Sequence, residues 1–242
     1  MIVDSARSLS ALQLQNVIKG PPLRRTKQKS APQPRLEWKL SDKPIPYDSA
    51  VSVMERRVSE IHSGDKSEML WFLEHPPLYT AGASAKDDDL LDPGDLPVYR
   101  SGRGGQYTYH GPGQRVVYLM LDLQRRGADL HRFVHDLEQW LISTLAEFDI
   151  TGERRGGRVG VWIDLDDERE AKIAAIGIRV RRWVTFHGVS LNIYPDLLHY
   201  RGIVSCGVRE HGVTSLKDLG VSCSMEEVDE VLKRKFTEFF EV

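Results

Sequence analysis

Cysteine is nearly absent. Cys206 and Cys223 are the only two in 242 residues, too few for a disulfide scaffold; a reducing compartment fits, with a single bridge left open by the count. Long apolar runs are missing too. The longest, Val116 to Leu121, has six residues against the roughly 20 needed to cross a bilayer. No membrane span is therefore expected, and no charged-then-apolar secretory leader opens the sequence. The glycine cluster Gly102-Arg-Gly-Gly105 has no following Gly-Lys-Ser/Thr, and Tyr107 stands where a dinucleotide fingerprint needs its third glycine. Both phosphate-cradling motifs are thereby excluded. Without a Gly-x-Ser-x-Gly elbow, serine-hydrolase chemistry has no seat. His131 and His135, four apart, lack the glutamate of His-Glu-x-x-His and are expected to be solvated helix residues, with no metal site.

A large net charge is also missing, but the balance of −2 hides an asymmetry. Residues 1–35 hold seven Lys or Arg (Arg7, Lys19, Arg24, Arg25, Lys27, Lys29, Arg35) against Asp4 alone, and four prolines. The rest carries −8, which does not suit a nucleic-acid binder, whose signature is a basic face. Residues 1–35 are expected to be a mostly disordered basic extension. A harmless bacterial extension is preferred over a mitochondrial targeting peptide, although the segment is acid-poor and Ser5 to Ile18 can form an amphipathic helix. Residues 36–242, with ordinary globular composition, are expected to form one domain.

Within that body, apolar spacing predicts a helix over Tyr47–His62 and a buried strand over Met69–Leu73. Pro76 and Pro77 cannot donate to a sheet ladder, so the chain should leave the central sheet there. Val116–Leu123 reads as a strand, and Asp129 as the cap of a helix with Leu130, Phe133, Val134, Leu137, Leu141 and Phe148 on one stripe. Strands follow at Val159–Leu165, Lys172–Arg181 and Val184–Ile193, with Gly202–Ser205 strand-like. Ser224-Met-Glu-Glu227 is a capping box opening a last helix. Hairpins mixed with flanking helices give an α+β fold.

The most informative segment is Arg103-Gly104-Gly105-Gln106-Tyr107-Thr108-Tyr109-His110-Gly-Pro-Gly-Gln114. Its glycines let the backbone approach a ligand, and its aromatic rings and imidazole can wall a binding site at a strand's mouth. Two later segments accompany it: Ala171-Lys172 through Gly177 to Arg179 with Thr185 to Asn192, and Ser205-Cys206-Gly207-Val208 with Gly212 to Leu216. In this order and spacing the three resemble the octanoyltransferase family, also called lipoate-protein ligase B, from about Tyr47 to Leu219. The resemblance implies a biotin/lipoate protein ligase-like fold, a mixed β-sheet covered by helices. It also implies transfer of an octanoyl group from octanoyl-acyl carrier protein to a lysine of lipoyl domains, in 2-oxoacid dehydrogenase complexes and the glycine-cleavage H protein. By matching positions, Cys206 and Lys172 would be catalytic. Arg103 to His110, Ala175, Ile176, Gly177, Gly188, Val189 and Ser190 would bind substrate, the small residues leaving a slot for an alkyl chain. A bacterial cytoplasmic enzyme is implied. The family often has proline where Ser205 stands, a departure that touches loop geometry more than chemistry.

A lone cysteine is more often a small buried filler than a nucleophile. Here Gly207 follows it, and a backbone N–H beside glycine is free to face an oxyanion. Lys172 opens an otherwise apolar strand, so its stem can pack while its ammonium reaches a thiol. Lowering a thiol pKa from about 8.5 to about 6.5 raises the thiolate at pH 7 some 25-fold, but the weaker nucleophile returns roughly 8-fold, leaving a gain of about threefold. Moving protons to the leaving thiol and from the incoming amine is the better reason for a lysine. His110 and His187 remain open between acid–base and positioning roles. A thioester donor is already activated, so no cofactor is expected. An ATP-dependent lipoate or biotin-type ligase is the rival enzyme, and a catalytically silent carrier-binding module the rival of another class. An acidic body that captures an acidic carrier needs a local basic rim, for which Arg100, Arg103, Arg115, Arg125, Arg126, Arg179, Arg181 and Arg182 are the candidates.

Overall fold

A computed structural model describes residues 36–165, 169–204 and 211–240. Residues 1–35, 166–168, 205–210 (with Cys206) and 241–242 lie outside the described residues. The strands are β1 (Glu37–Leu40), β2 (Met69–Leu73), β3 (Leu78–Ala81), β4 (Val98–Arg100), β5 (Tyr107–His110), β6 (Gln114–Met120), β7 (Glu153–Arg155), β8 (Arg158–Asp164), β9 (Glu170–Arg181), β10 (Val184–Asn192) and β11 (Gly212–Val213). The helices are α1 (Tyr47–Ser63), α2 (Leu130–Ala146) and α3 (Met225–Phe240).

The large sheet runs β1-β2-β6-β10-β9-β8-β7, with β11 added to β9. It is mixed: β1/β2 and β11/β9 are parallel, and the remaining pairs antiparallel. Strand alternation sorts its side chains between two helical layers. Leu70, Phe72, Val117, Leu119 and Leu121 pack with α2 and α3. Met69, Trp71, Leu73, Val116, Tyr118 and Met120 pack under Ala50, Met54, Val58 and Ile61 of α1. The apolar run Val116–Leu121 is continuous because both its faces are covered.

Local signals set the helix ends. Gly64, in the left-handed region at φ +83°, closes α1, where a residue with a Cβ would be strained. The Asp129 carboxylate accepts from Arg132 N at the start of α2. Ser224 and Glu227 bond each other's backbone N–H reciprocally ahead of α3, the expected capping box. Met225, Val228, Leu232 and Phe236 bury the α3 face, while Phe239 is exposed.

Pro76 and Pro77 do mark the departure from the large sheet. Beyond them β3 enters a second sheet, ordered β4-β3-β5, which the sequence reading missed. Tyr107–His110, expected as part of a glycine loop, is strand β5 there, paired antiparallel with β3. The strand-like reading of Gly202–Ser205 is also corrected. Leu197–Gly202 is a 3-10 turn and Ile203 makes one isolated bridge to Leu90, while Ser205 lies outside the described residues. No described helix is long and apolar enough to cross a membrane.

Candidate active site

A cavity of about 360 Å³ lies where β9, β10 and the glycine segment meet, within the range of small-molecule sites. From β9 it takes Lys172, Ala175, Ile176, Gly177 and Ile178, and from β10 His187 to Ser190. Six residue steps along β9 give it a length of about 20 Å. Arg103 to Thr108 and His110 form the opposite wall. Thus every expected site residue lines this one cavity except two. Tyr109 points away, as alternation along β5 dictates; its ring stacks on His199 at 4.7 Å and packs in the small sheet's core with Tyr79. Cys206 lies outside the described residues.

The glycines act differently from the slot expected of them. A Cβ at Gly177 would lie 3.0 Å from Arg103 Cδ and 3.2 Å from the Gly104 carbonyl, and one at Gly188 would overlap the Val117 carbonyl oxygen. Those spaces are filled by protein, so at these two positions smallness permits close backbone packing. It lets the glycine segment dock on β9, where Gly104 N donates to Ile178 O (3.1 Å). Arg103 is the internal brace. Its buried guanidinium donates to the Thr80 hydroxyl and carbonyl and to the Gly104 and Gln106 carbonyls.

Lys172 is buried. Its Nζ donates to Val159 O at 2.9 Å and stands 4.5 Å from the centre of the Trp162 ring. Gly160, at φ +125°, makes room for it: a Cβ there would meet Lys172 Cε at 3.2 Å. Gly160 N donates to the buried Glu138 carboxylate on α2 (3.0 Å). Sequence reasoning missed Gly160, although a lone glycine inside an apolar strand signals a bulge or close approach.

Three histidines cluster around Tyr118, two of them lining the cavity. His187 lines the cavity from a positive φ of 59° within β10, a strained conformation of the kind that collects at functional sites. Burial, aided by the Arg103 and Arg179 charges, lowers its pKa to about 3. Burial likewise brings His75 down to about 4 and holds His110 well below the ordinary value, the latter aided by the charge of His75. His75 Nδ1–H donates to Ile45 O, leaving Nε2 to accept the Tyr118 hydroxyl at 2.7 Å. His110 Nδ1–H donates to the Gln114 side-chain oxygen at 2.6 Å. Gln114 in turn donates to Asn192 and Tyr200. Neutral imidazoles so reluctant to hold a proton are weak bases at neutral pH. His110 and His187 shape and polarise the cavity wall. Tyr118 was legible in part, since a buried tyrosine hydroxyl inside an apolar run requires a partner.

The basic rim is smaller than expected. Arg103 is internal, Arg115 is locked to Asp229 in a buried bidentate pair, and Arg126 holds Glu68. Arg100 and Arg125 are exposed but paired with Asp87 and Asp122. Arg179, Arg181 and Arg182 are exposed and enter no ion pair among the described residues. His131 and His135 are exposed on α2, and Cys223 is a half-buried free thiol.

This architecture is lipoate protein ligase-like. A bipartite archaeal lipoate protein ligase from Thermoplasma acidophilum shares it at TM-score 0.62 and 17% identity, over 86% of this chain and 85% of that one. In sequence, curated proteins named octanoyltransferase are far nearer. One from Paramagnetospirillum magneticum is 60% identical over 85% of this chain and 97% of its own length. One from Parvibaculum lavamentivorans is 58% identical over 84% and 92%. The chain belongs to the lipoyl protein ligase A/B catalytic domain family, which it matches over residues 46–237.

Proposed function

We propose that the cavity is the acyl site of an octanoyltransferase that forms a thioester on Cys206 and passes the octanoyl group to a lysine of a lipoyl domain. The chain is an acyltransferase, and its activity is octanoyl transfer in lipoate synthesis, carried by its 60% and 58% identity to curated octanoyltransferases. The observation supporting the site is the convergence of buried Lys172 with both glycine-bearing walls on one cavity. Seven C–C bonds of about 1.5 Å give an octanoyl chain a contour under about 11 Å, so it fits within the cavity's length along Ala175 to Ile178 and Gly188 to Ser190.

In this reading the Cys206 thiolate attacks the thioester carbonyl of octanoyl-acyl carrier protein. The C–S bond to the carrier breaks, and the leaving thiolate takes a proton from the Lys172 ammonium. The acceptor amine then attacks the Cys206 thioester, its nitrogen gives a proton to the Lys172 amine, and the Cys206 thiolate departs. Acceptors are lipoyl domains of 2-oxoacid dehydrogenase complexes and the glycine-cleavage H protein. Residues 36–242 are the catalytic domain, working in the cytoplasm without a nucleotide.

The test is intact-mass analysis of the full chain after mixing with octanoyl-acyl carrier protein. One octanoyl group should be added, labile to hydroxylamine, absent in Cys206→Ala and kept in Cys223→Ala. An adduct lost with Cys223 instead assigns the wrong nucleophile. Transfer to apo lipoyl domain that requires ATP and free octanoate would identify a ligase.

A further inference from the structure

The carbonyl that holds Lys172 belongs to a peptide unit whose other end is held too. Val159 O accepts from Lys172 Nζ at 2.9 Å, and the N–H of the same peptide, on Gly160, donates to Glu138 Oε1 at 3.0 Å. Ammonium, peptide and carboxylate thus form one chain from the cavity wall to α2. Gly160 stands at φ +125°, a backbone angle that glycine adopts without strain. Close by, the pairing of β8 with β9 shifts by one residue: Trp162 lies opposite Lys172, but Val161 lies opposite Ala174. A bulge of this kind re-aims the side chain next to it.

Glu138 is an unexpected residue where it stands. It is buried on α2 among Leu137, Trp140 and Leu141, which have no exposed surface. A carboxylate in such surroundings is costly unless it is both hydrogen-bonded and paired. Oε1 takes the Gly160 N–H, and Oε2 lies 3.2 Å from Arg154 Nε. Arg154 is half-buried and also donates to Gln139 Oε1 at 2.8 Å. A carbonyl whose own peptide N–H is bonded to a carboxylate is polarised and becomes a stronger acceptor.

We propose that Glu138 is a positioning residue for Lys172: by holding Gly160 N it fixes the Val159–Gly160 peptide with its carbonyl turned to the Lys172 ammonium. The inference rests on the reading that Lys172 moves protons during transfer. Glu138 itself is not among the residues lining the cavity. Three substitutions separate the hydrogen bond from charge and from stability. Glu138→Gln keeps an acceptor for Gly160 N and removes the charge. Glu138→Leu removes the acceptor and suits the apolar face of α2. Arg154→Met removes the ion pair and leaves the bond to Gly160.

The experiment follows each variant of the full chain in two ways. Octanoyl transfer is measured over a range of donor concentrations, and acetylation of Lys172 by acetic anhydride is timed by peptide mass against that of exposed Lys43. Misplacing a reacting group by about 1 Å costs up to about 10²-fold, so Glu138→Leu is expected to lower kcat at least about tenfold with little change in KM for the donor. It should also speed Lys172 acetylation several-fold, as the ammonium is released from Val159 O. Glu138→Gln and Arg154→Met should keep most of kcat and the wild-type acetylation rate. A folded Glu138→Leu with wild-type kcat and acetylation overturns the proposal. So does a loss of kcat in Glu138→Gln or Arg154→Met as large as in Glu138→Leu, since charge or stability would then account for it. If Glu138→Leu does not fold, pairing it with Arg154→Met leaves no stranded charge, and the same comparison decides. Acetylation reports on Lys172 whether or not that residue takes part in transfer. Near-normal turnover in Lys172→Arg would thus end the proton-transfer reading, while the acetylation rates would still decide whether Glu138 holds Lys172.

Discussion

Lys172 and the buried histidines are held by different contacts. Lys172 keeps a carbonyl and an aromatic face for its ammonium, both suited to a cation. A guanidinium at that position would keep the charge but could not release a proton. Lys172→Arg is therefore expected to lose most turnover while still forming a folded chain, measured as octanoyl transfer at saturating donor. Near-normal turnover would mean that charge alone suffices. His75, His110 and His187, by contrast, are neutral in the fold because burial penalises their charged forms. Their folded pKa values lie below the unfolded value of about 6.5, so the unfolded chain binds more protons as pH falls below that value. Stability should be full above about pH 6.5 and decline as pH falls towards 4, by about 1.4 kcal/mol per pH unit for each histidine. His75→Asn should remove one histidine's share of that slope in urea titrations between pH 6.5 and 4.5. A slope unchanged by the substitution would place the acid sensitivity elsewhere.

At the scale of elements, what the sequence made legible is what local chemistry decides. Asp129, the Ser224–Glu227 box and the apolar stripes placed α1, α2 and α3, and two-face burial explained the unbroken run in β6. The candidate wall was legible because its residues are contiguous in three short segments. The small sheet was hidden because β4 is three residues long and half exposed, pairs in parallel with a strand that precedes it by 20 positions, and carries no apolar alternation. β5 was masked by the glycines around it, whose partners are distant in sequence: Gly104 N bonds the Ile178 carbonyl and Gly113 N the Glu74 carboxylate. The same non-local contacts explain why small residues looked like a slot. Gly177 and Gly188 face each other across β9 and β10, yet a Cβ would meet Arg103 Cδ at 3.0 Å and the Gly104 carbonyl at 3.2 Å in one case and overlap the Val117 carbonyl in the other. The first contacts are relieved by shifts of a few tenths of an ångström; an overlap with a carbonyl inside the sheet is not. Gly188→Ala should therefore destabilise the chain by about 3 kcal/mol or more and Gly177→Ala by about 1 kcal/mol, the two ends of the usual overpacking range. Urea midpoints at pH 7 decide it, and an equal or reversed order would show that β6 and β10 part more readily than their pairing suggests.

For the whole molecule the question is how a body of net charge −8 meets an acidic donor. Most of the candidate arginines have prior commitments: Arg115 to Asp229, Arg126 to Glu68, Arg103 to backbone carbonyls. What remains is the β9–β10 hairpin. Arg182 and Trp183 turn it at positive φ values of 52° and 65°, as a tight two-residue hairpin turn requires. Arg179, Arg181 and Arg182 are exposed there beside a 42% exposed Trp183. Arg179 also lies against the start of the glycine segment, since a Cβ on Gly102 would overlap its guanidinium. Arg179 and Arg181 are two apart on β9 and share a face. If the proposed acidic carrier docks at this cationic hairpin, the arginines would steer it chiefly through the encounter rate. Such steering weakens with salt, as the Debye length falls from about 10 Å at 0.1 M to about 3 Å at 1 M. Reversing Arg179 and Arg181 to glutamate should therefore raise the donor concentration for half-maximal rate several-fold at low salt, with a smaller change at 1 M salt and little change in turnover at saturating donor. Arg234→Glu, a charge change at an exposed arginine of α3 paired with Glu147, should shift donor dependence far less. Unchanged donor dependence in the folded double variant at both salt concentrations would remove the hairpin from the docking surface.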